Sequence, residues 1–106
     1  MRHRIRFQKL TPGVDPETQE PIDGVWVDVA TLWAAITPLS GREFIAAQAV
    51  QSEVAGRIVI RYRSDIKAAM RGIEGDRIYN IQAVLPDPKS GREYLTLPYS
   101  EGANDG

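Results

Sequence analysis

Residues 2–8 read RHRIRFQ, and along this stretch the side chains alternate strictly between two faces. One face carries His3, Ile5 and Phe7, whereas the other carries three arginines and a glutamine. A period of two with apolar side chains on one face only is typical of a half-buried β-strand. The N-terminal stretch therefore predicts a strand. The only histidine of the chain is expected to pack or to form a hydrogen bond there, rather than to act in catalysis.

Further strands are predicted where β-branched and aromatic residues recur between turn-forming residues. They cover residues 25–36, 53–63, 71–74, 77–84 and 93–99. The first of these is apolar on both faces, so it is predicted to be central in its sheet or bent near Ala30, and Trp33 is expected in the core. Gly75 and Asp76 predict a tight turn. A loop is predicted over residues 86–91, because its paired prolines cannot donate to a strand ladder.

One helix is predicted to begin after Ser40, whose hydroxyl can accept a hydrogen bond from a first-turn amide. Glu43 follows three residues later and can reach back to the Ser40 backbone, which would complete a capping box. Apolar residues then recur at helical spacing to about Gln51. This pattern predicts a short amphipathic helix.

The connection between the first two predicted strands, Thr11–Gly24, contains three prolines, two glycines and four acidic residues. Such a composition predicts a long loop, since proline removes backbone donors and glycine relaxes the backbone. The acids are Asp15, Glu17, Glu20 and Asp23. Their spacing matches no EF-hand, so a solvated acidic loop is favoured over a calcium site.

Together these elements describe a mainly β fold. It is predicted to be a small antiparallel barrel or sandwich of five to six strands, with one short α-helix and a long loop between the first two strands. We expect a single domain over residues 1–99 and a small, acidic, disordered tail over residues 100–106.

The composition excludes several classes of protein. The 106 residues include no cysteine and one histidine, with 13 basic and 14 acidic side chains. Without cysteine there is no disulfide framework, thiolate zinc site or cysteine nucleophile. We therefore predict no catalytic residue, no metal site and no cofactor. No apolar run approaches the roughly 20 residues of a membrane span, which predicts a soluble protein without an export signal or a membrane partner.

Five arginines lie on the polar faces of two predicted strands, and two interpretations of them remain open. They are Arg4 and Arg6 on the first strand, and Arg57, Arg61 and Arg63 on the third. If these strands are neighbours, the arginines would form a basic surface able to follow a phosphate backbone. Alternatively, they form ion pairs with nearby acids such as Asp65, Glu53 and Asp76, or with the acids of a neighbouring subunit.

The order of segments along the chain resembles a known family. A basic first strand (RHRIRFQKL) is followed by a proline-rich acidic loop and by a tryptophan-containing segment, GVWVDVATLWAAITPLSGREFIAAQAVQSE. An arginine–tyrosine–arginine strand (RIVIRYRSDIKAAMR) and the segment DRIYNIQAVLPDP complete the pattern. The sequence resembles the head–tail joining proteins of tailed phages, also called head closure, stopper or connector proteins, from Arg2 to about Leu97.

The resemblance implies a small β-barrel decorated by a helix, without catalytic residues, that docks as a ring beneath the portal and its adaptor. It implies a structural role: the ring closes the DNA channel after packaging and offers an attachment surface to tail proteins. The protein would then lie at the head–tail interface of the virion, in the host cytoplasm during assembly, and its gene could belong to a phage or a prophage. The predicted subunit or portal interface comprises Trp26, Arg42, Glu43, Phe44 and Gln48.

The residues themselves support a second class of function. A small β-barrel with an arginine-rich face could bind nucleic acid through Arg4, Arg6, Arg57, Arg61 and Arg63. The balanced net charge and the acidic loop argue against it. An enzyme is the least favoured class, because no pair of carboxylates lies on a clearly apolar background.

Overall fold

The computed structural model describes residues 1–14, 17–18 and 21–102 of the chain. Within that part the chain forms seven strands and one helix. In order these are β1 (His3–Val14), β2 (Pro21–Pro38), α1 (Gly41–Ala49), β3 (Gly56–Arg61), β4 (Arg71–Glu74), β5 (Arg77–Ile81), β6 (Leu85–Pro86) and β7 (Tyr94–Glu101). The predicted tight turn joins β4 to β5, where Gly75 adopts a positive φ of 59°.

The strands close into an antiparallel barrel. Their order is β3-β2-β1-β4-β5-β7-β6, and a further pairing of β3 with β7 joins the two sides. Six strands therefore form the wall, and the two-residue β6 lies outside it against β7. The predicted mainly β fold with one short helix is confirmed, and of the two architectures left open the chain adopts the barrel.

The hairpin of β1 and β2 is much longer than the barrel wall requires. Residues 9–14 and 21–27 pair with each other, and no other strand pairs with them in the described part of the chain. We call these residues the hairpin arm. The predicted loop over Thr11–Gly24 is therefore wrong in extent, because Gly13 pairs with Ile22 and Val14 with Pro21. A paired hairpin end tolerates glycine and proline where no further strand needs their amides.

The predicted bend in the second strand corresponds to a β-bulge. Phe7 pairs with Ala30 whereas Gln8 pairs with Asp28, so Val29 is an extra residue on β2. An extra residue in one strand bends it and increases its twist. The bulge lies beside the predicted position and separates the barrel part of β2 from the arm.

The core fills the barrel with aliphatic and aromatic side chains. Ile5 and Phe7 of β1, Ile58 and Ile60 of β3 and Tyr79 of β5 are fully buried. Tyr79 meets Tyr99 of β7 edge to face, with ring centroids 4.9 Å apart and an interplanar angle of 84°. Two residues of the connection between β3 and β4, Ile66 and Met70, belong to the same buried cluster.

Trp33 is not part of this core, contrary to the sequence prediction. Its neighbour Ala34 is fully buried, so Trp33 projects to the outside of the wall, where it is 55% exposed. Both faces of β2 carry apolar side chains, and only its pairing with β1 and β3 decides which face turns inward.

Strand ends also differ from the predicted ones. β7 continues through Ser100 to Glu101, which pair with β5, so this strand ends beyond residue 99. Residues 103–106 lie outside the described part of the chain. Pro86 belongs to β6 rather than to a loop. Proline is tolerated there because β6 is an outer strand, and no further strand needs the backbone donor that proline lacks.

Candidate interaction surfaces

Helix α1 is held at its start by the predicted capping box, which is confirmed. The Ser40 amide donates to Glu43 Oε1 over 3.1 Å, and the Glu43 amide donates to Ser40 Oγ over 3.2 Å. Arg57 of β3 forms an ion pair with the same carboxylate. The hydrogen bonds from Ser40 and the adjacent guanidinium keep the pKa of Glu43 below its ordinary value. Glu43, predicted as an interface residue, therefore anchors the helix to the barrel.

The apolar side chains of α1 have no cover within the described chain. No residue of the helix is buried. Phe44 is 54% exposed, Ile45 71%, and Val50, at the end of the helix, 75%. Arg42 and Gln48 are exposed as well. A helix of nine residues with exposed apolar side chains contributes little to the core, and such uncovered side chains are typical of an interaction surface.

Trp26 does not belong to this surface. It lies on the hairpin arm, opposite Leu10, and the guanidinium of Arg71 stacks 4.2 Å from its ring centroid. Its indole Nε1 is buried and has no hydrogen-bond partner among the described residues. About twelve residues of extended β2 separate Trp26 from the strand end beside α1, or roughly 40 Å. The five predicted interface residues therefore do not form one patch.

The two arginine-bearing strands are not neighbours, because β2 lies between β1 and β3. A continuous basic surface made by these strands alone, one of the two open interpretations, is therefore wrong. Arg6 lies 3.5 Å from Asp28, and Arg57 pairs with Glu43.

Arg63 pairs with Asp65 over 2.8 Å, as the ion-pair interpretation expects. The hydrogen bond from Arg63 holds the pKa of Asp65 below its ordinary value. Three of the five arginines thus have an acidic partner on the same chain.

The remaining two arginines, Arg4 and Arg61, lie on aromatic rings. Arg4 pairs in register with Trp33, and its guanidinium carbon is 5.7 Å from the ring centroid. Arg61 pairs in register with Tyr94 at 5.3 Å. Trp33 and Arg61 border one surface cavity of about 270 Å³. We call Arg4, Trp33, Arg61 and Tyr94 the arginine–aromatic row, since they follow one another across β1, β2, β3 and β7 on the outer wall.

Sequence reasoning missed this row, although part of its signal was present. The alternation in residues 57–63 already places Arg61 on the polar face. The partner of each arginine depends on strand register, which a single sequence does not determine when both faces of β2 are apolar. Ile45 and Val50 were missed for a simpler reason: helical spacing predicts an apolar face but not whether anything covers it.

The single histidine has a hydrogen-bonding role, as predicted. His3 Nδ1 lies 2.8 Å from Glu74 Oε2, and the hydroxyl of the buried Tyr79 donates to Glu74 Oε1 over 3.1 Å. Burial, together with this hydrogen bond, raises the pKa of Tyr79 to about 12. Glu74 thereby connects β1, β4 and β5.

The described residues contain no candidate metal centre. No group of three or more His, Asp or Glu side chains is arranged to hold a metal ion there. The four acids of the predicted loop lie partly outside the described residues. In the same part of the chain, no helix has the length and apolarity needed to span a membrane.

Comparison with known proteins gives a family match, and the related solved structures include the two that follow. Residues 1–102 match the model of a family described as phage head completion protein. A solution structure of a protein from Shigella flexneri 2a is similar with a TM-score of 0.76 and 34% identity, over 99% of this chain and 96% of that one. A chain of the virion of a native gene transfer agent particle has a TM-score of 0.62 and 19% identity over 96% of both chains, which shows a shared fold. No curated protein matches the chain.

Proposed function

Because the chain belongs to the phage head completion protein family, a family of structural proteins of the phage head, we propose that it joins the head to the tail. In this proposal several copies dock as a ring beneath the portal or its adaptor after DNA packaging. The ring closes the DNA channel and presents a surface to which tail proteins attach.

The observation that carries this proposal is the set of exposed apolar side chains on α1 and its C-cap, namely Phe44, Ile45 and Val50. The Glu43–Arg57 ion pair links this helix to β3, although the helix buries none of its own residues. A helix with uncovered apolar side chains is a ready anchor for another protein, because burying these groups on docking is favourable. We propose that α1, including its exposed polar side chains Arg42 and Gln48, contacts the portal or adaptor.

In this proposal Trp26 belongs to a second contact surface, the hairpin arm, rather than to the surface of α1. The arm extends beyond the strands that pair with the rest of the barrel, and exposes Leu10 and Val25. An arm of this kind suits contact with a neighbouring copy or with the next ring of the assembly. The protein would act in the virion, after assembly in the cytoplasm of the bacterial host.

The proposal is tested with DNA-filled heads that lack their closure protein. The purified chain is mixed with such heads and sedimented, and both head-bound protein and retained DNA are measured. We expect the chain to sediment with the heads and the DNA to remain inside. Binding of free DNA without binding to heads would overturn the proposal and favour a nucleic-acid-binding barrel.

A further inference from the structure

The arginine–aromatic row carries positive charge that the chain itself does not neutralise. No carboxylate pairs with Arg4 or Arg61 among the described residues, whereas Arg6, Arg57 and Arg63 each have an acidic partner. The guanidinium groups of Arg4 and Arg61 lie over aromatic rings instead, where they keep their charge and remain exposed. Arginine and large aromatic side chains are enriched at protein interfaces. The row therefore has the composition of a contact surface for an acidic partner.

Trp33 gives this surface an apolar centre. More than half of the side chain is exposed, and it borders the cavity of about 270 Å³ together with Leu32 and Arg61. An apolar hollow beside an unpaired guanidinium suits a partner that offers a carboxylate next to an apolar side chain.

The chain itself carries such a combination beside the turn that joins β4 to β5. Asp76, Ile78 and Glu101 line a second cavity of about 250 Å³, and we call these three residues the turn site. Asp76 is exposed and forms no ion pair with another described residue. Glu101 binds Arg77 through Oε1 alone, which leaves Oε2 as an acceptor. An arginine entering this cavity meets two carboxylates, with the apolar surface of Ile78 beside its methylene stem.

The turn site and the centre of the row lie on opposite sides of the barrel. Trp33 belongs to β2 and Arg61 to β3. In the closed strand order, β5 lies three strands from β2 in either direction, and β4 lies three strands from β3. Arg61 therefore cannot reach Asp76 of its own molecule, and a contact between the two must join different copies.

Both surfaces also lie in one band around the barrel. Arg6 pairs with Ile73, so Arg4, two residues earlier, lies level with Gly75 of the turn, and these two residues line the same surface groove. Arg4 in turn pairs with Trp33. Copies that stand side by side at equal height can thus bring the row of one copy to the turn site of the next.

We propose that the arginine–aromatic row of one copy docks on the turn site of the next copy, with the Arg61 guanidinium between Asp76 and Glu101. This inference rests on the proposed function, because it supplies the subunit contact of the ring. The charges are complementary, which favours specific association. Because the two surfaces differ, the contact repeats in one direction and closes into a ring when its rotation is suitable. Nucleic acid is the competing occupant of the row, but the net charge of −1 argues against it.

The contact is tested with a carbodiimide, which joins a lysine amine to a carboxylate as an amide where the two groups touch. The variant R61K keeps the positive charge and supplies an amine at the centre of the row. An equal mixture of isotopically light and heavy R61K is treated in concentrated solution and on heads that lack their closure protein. We expect peptide mass spectrometry to find position 61 of one copy joined to Asp76 or Glu101 of another. The matched control R92K, with its amine in the exposed segment before β7, should give no such link.

Charge exchange then tests whether the two surfaces face each other. R61E and D76R each bring like charges together, so glutaraldehyde treatment of head-bound protein should yield about tenfold fewer multimers. The double variant R61E/D76R restores opposite charges between neighbouring copies and should recover most of this yield. Circular dichroism checks that each variant remains folded.

The outcomes separate the inference from the proposed function. Head-bound R61K without the link, or with no more of it than R92K gives, overturns the inference and leaves head joining intact. The link in solution without binding to heads supports the subunit contact and contradicts head joining. A double variant that recovers no multimers shows that the two surfaces do not meet, and the inference is then wrong. A DNA oligonucleotide that prevents the link and no longer binds R61E would assign the row to nucleic acid, which also overturns the inference.

Discussion

At the scale of single residues, Glu74 joins three strands through its side chain, although it lies at the end of a strand of only four residues. One carboxylate oxygen lies 2.8 Å from His3 and the other accepts the hydroxyl of Tyr79 over 3.1 Å. The pairing of β1 with β4 is only three residues long, as short as that of β5 with β7, so side-chain contacts across this seam add to a short ladder. A hydrogen-bonded carboxylate at this place stabilises the closed barrel.

Replacing Glu74 by alanine should therefore destabilise the fold. Tyr79 is fully buried and would lose the acceptor of its hydroxyl, which costs about 1–3 kcal/mol of unfolding free energy. Urea denaturation of the wild type and the variant measures this difference. The control is D76A in the adjacent turn, where the side chain is exposed and a change within about 0.5 kcal/mol is expected. Equal effects of the two substitutions would contradict the role of Glu74.

Tyr79 itself predicts a loss of stability at high pH. Burial, with the hydrogen bond to Glu74, raises its pKa from 10.0 to about 12, so the folded protein holds a proton that the unfolded chain releases in this window. Stability is then fully present below pH 10 and falls as the pH rises towards 12, by an amount on the order of 2 kcal/mol. Urea unfolding at several pH values, with tyrosinate absorbance as a second measurement, tests this. In Y79F the decline should be smaller; an unchanged decline would show that another group causes it.

At the scale of elements, α1 shows which parts of the fold are local. Ser40 and Glu43 lie three residues apart, so the sequence alone predicts the helix start, and the structure confirms it. The position of the helix relative to the barrel was not predictable, because its side-chain link to β3, the ion pair between Glu43 and Arg57, is not local in sequence. That pair joins residues fourteen positions apart and requires the register of β3.

Removing the cap should loosen α1 without unfolding the barrel. S40A deletes the hydroxyl that accepts from the Glu43 amide, a loss of about 1 kcal/mol for a helix. Since no residue of α1 is buried, this loss should appear as local opening rather than as a change in global stability. Hydrogen exchange of the α1 amides should accelerate about fivefold, while exchange in β3 and β7 stays the same. Parallel acceleration in the strands would mean that the helix stabilises the barrel.

The hairpin arm shows the opposite case, in which local sequence misleads. Prolines and glycines in Thr11–Gly24 predict a loop, yet Gly13 and Val14 pair with β2. Composition indicates the local conformation that a residue favours by itself. In a long hairpin, pairing with the neighbouring strand can override that preference and keep the residue in extended conformation. The same dependence on register explains Trp33, since the choice between two apolar faces of β2 is made by its partner strands.

At the scale of the whole molecule, the fold separates its exposed surfaces. β2 runs from the arm at one end to α1 at the other, and the molecule is 52 Å long against 32 and 25 Å across. The arginine–aromatic row lies on the wall between them. A subunit with distinct surfaces at its ends and on its side can contact one partner along its axis and a second copy beside it.

This arrangement predicts that the α1 surface can be disabled without harming the fold. Phe44 and Ile45 are more than half exposed, so the double variant F44D/I45D should unfold at nearly the same temperature as the wild type. Two charges in place of these apolar side chains would have to be desolvated on docking, so we expect binding to heads to fall at least about tenfold. The matched control is L85D on β6, where a side chain of similar exposure lies away from the helix. Both variants place charge on exposed apolar side chains, so they are comparable. Loss of head binding in L85D but not in F44D/I45D would therefore assign the docking surface to β6 instead of α1.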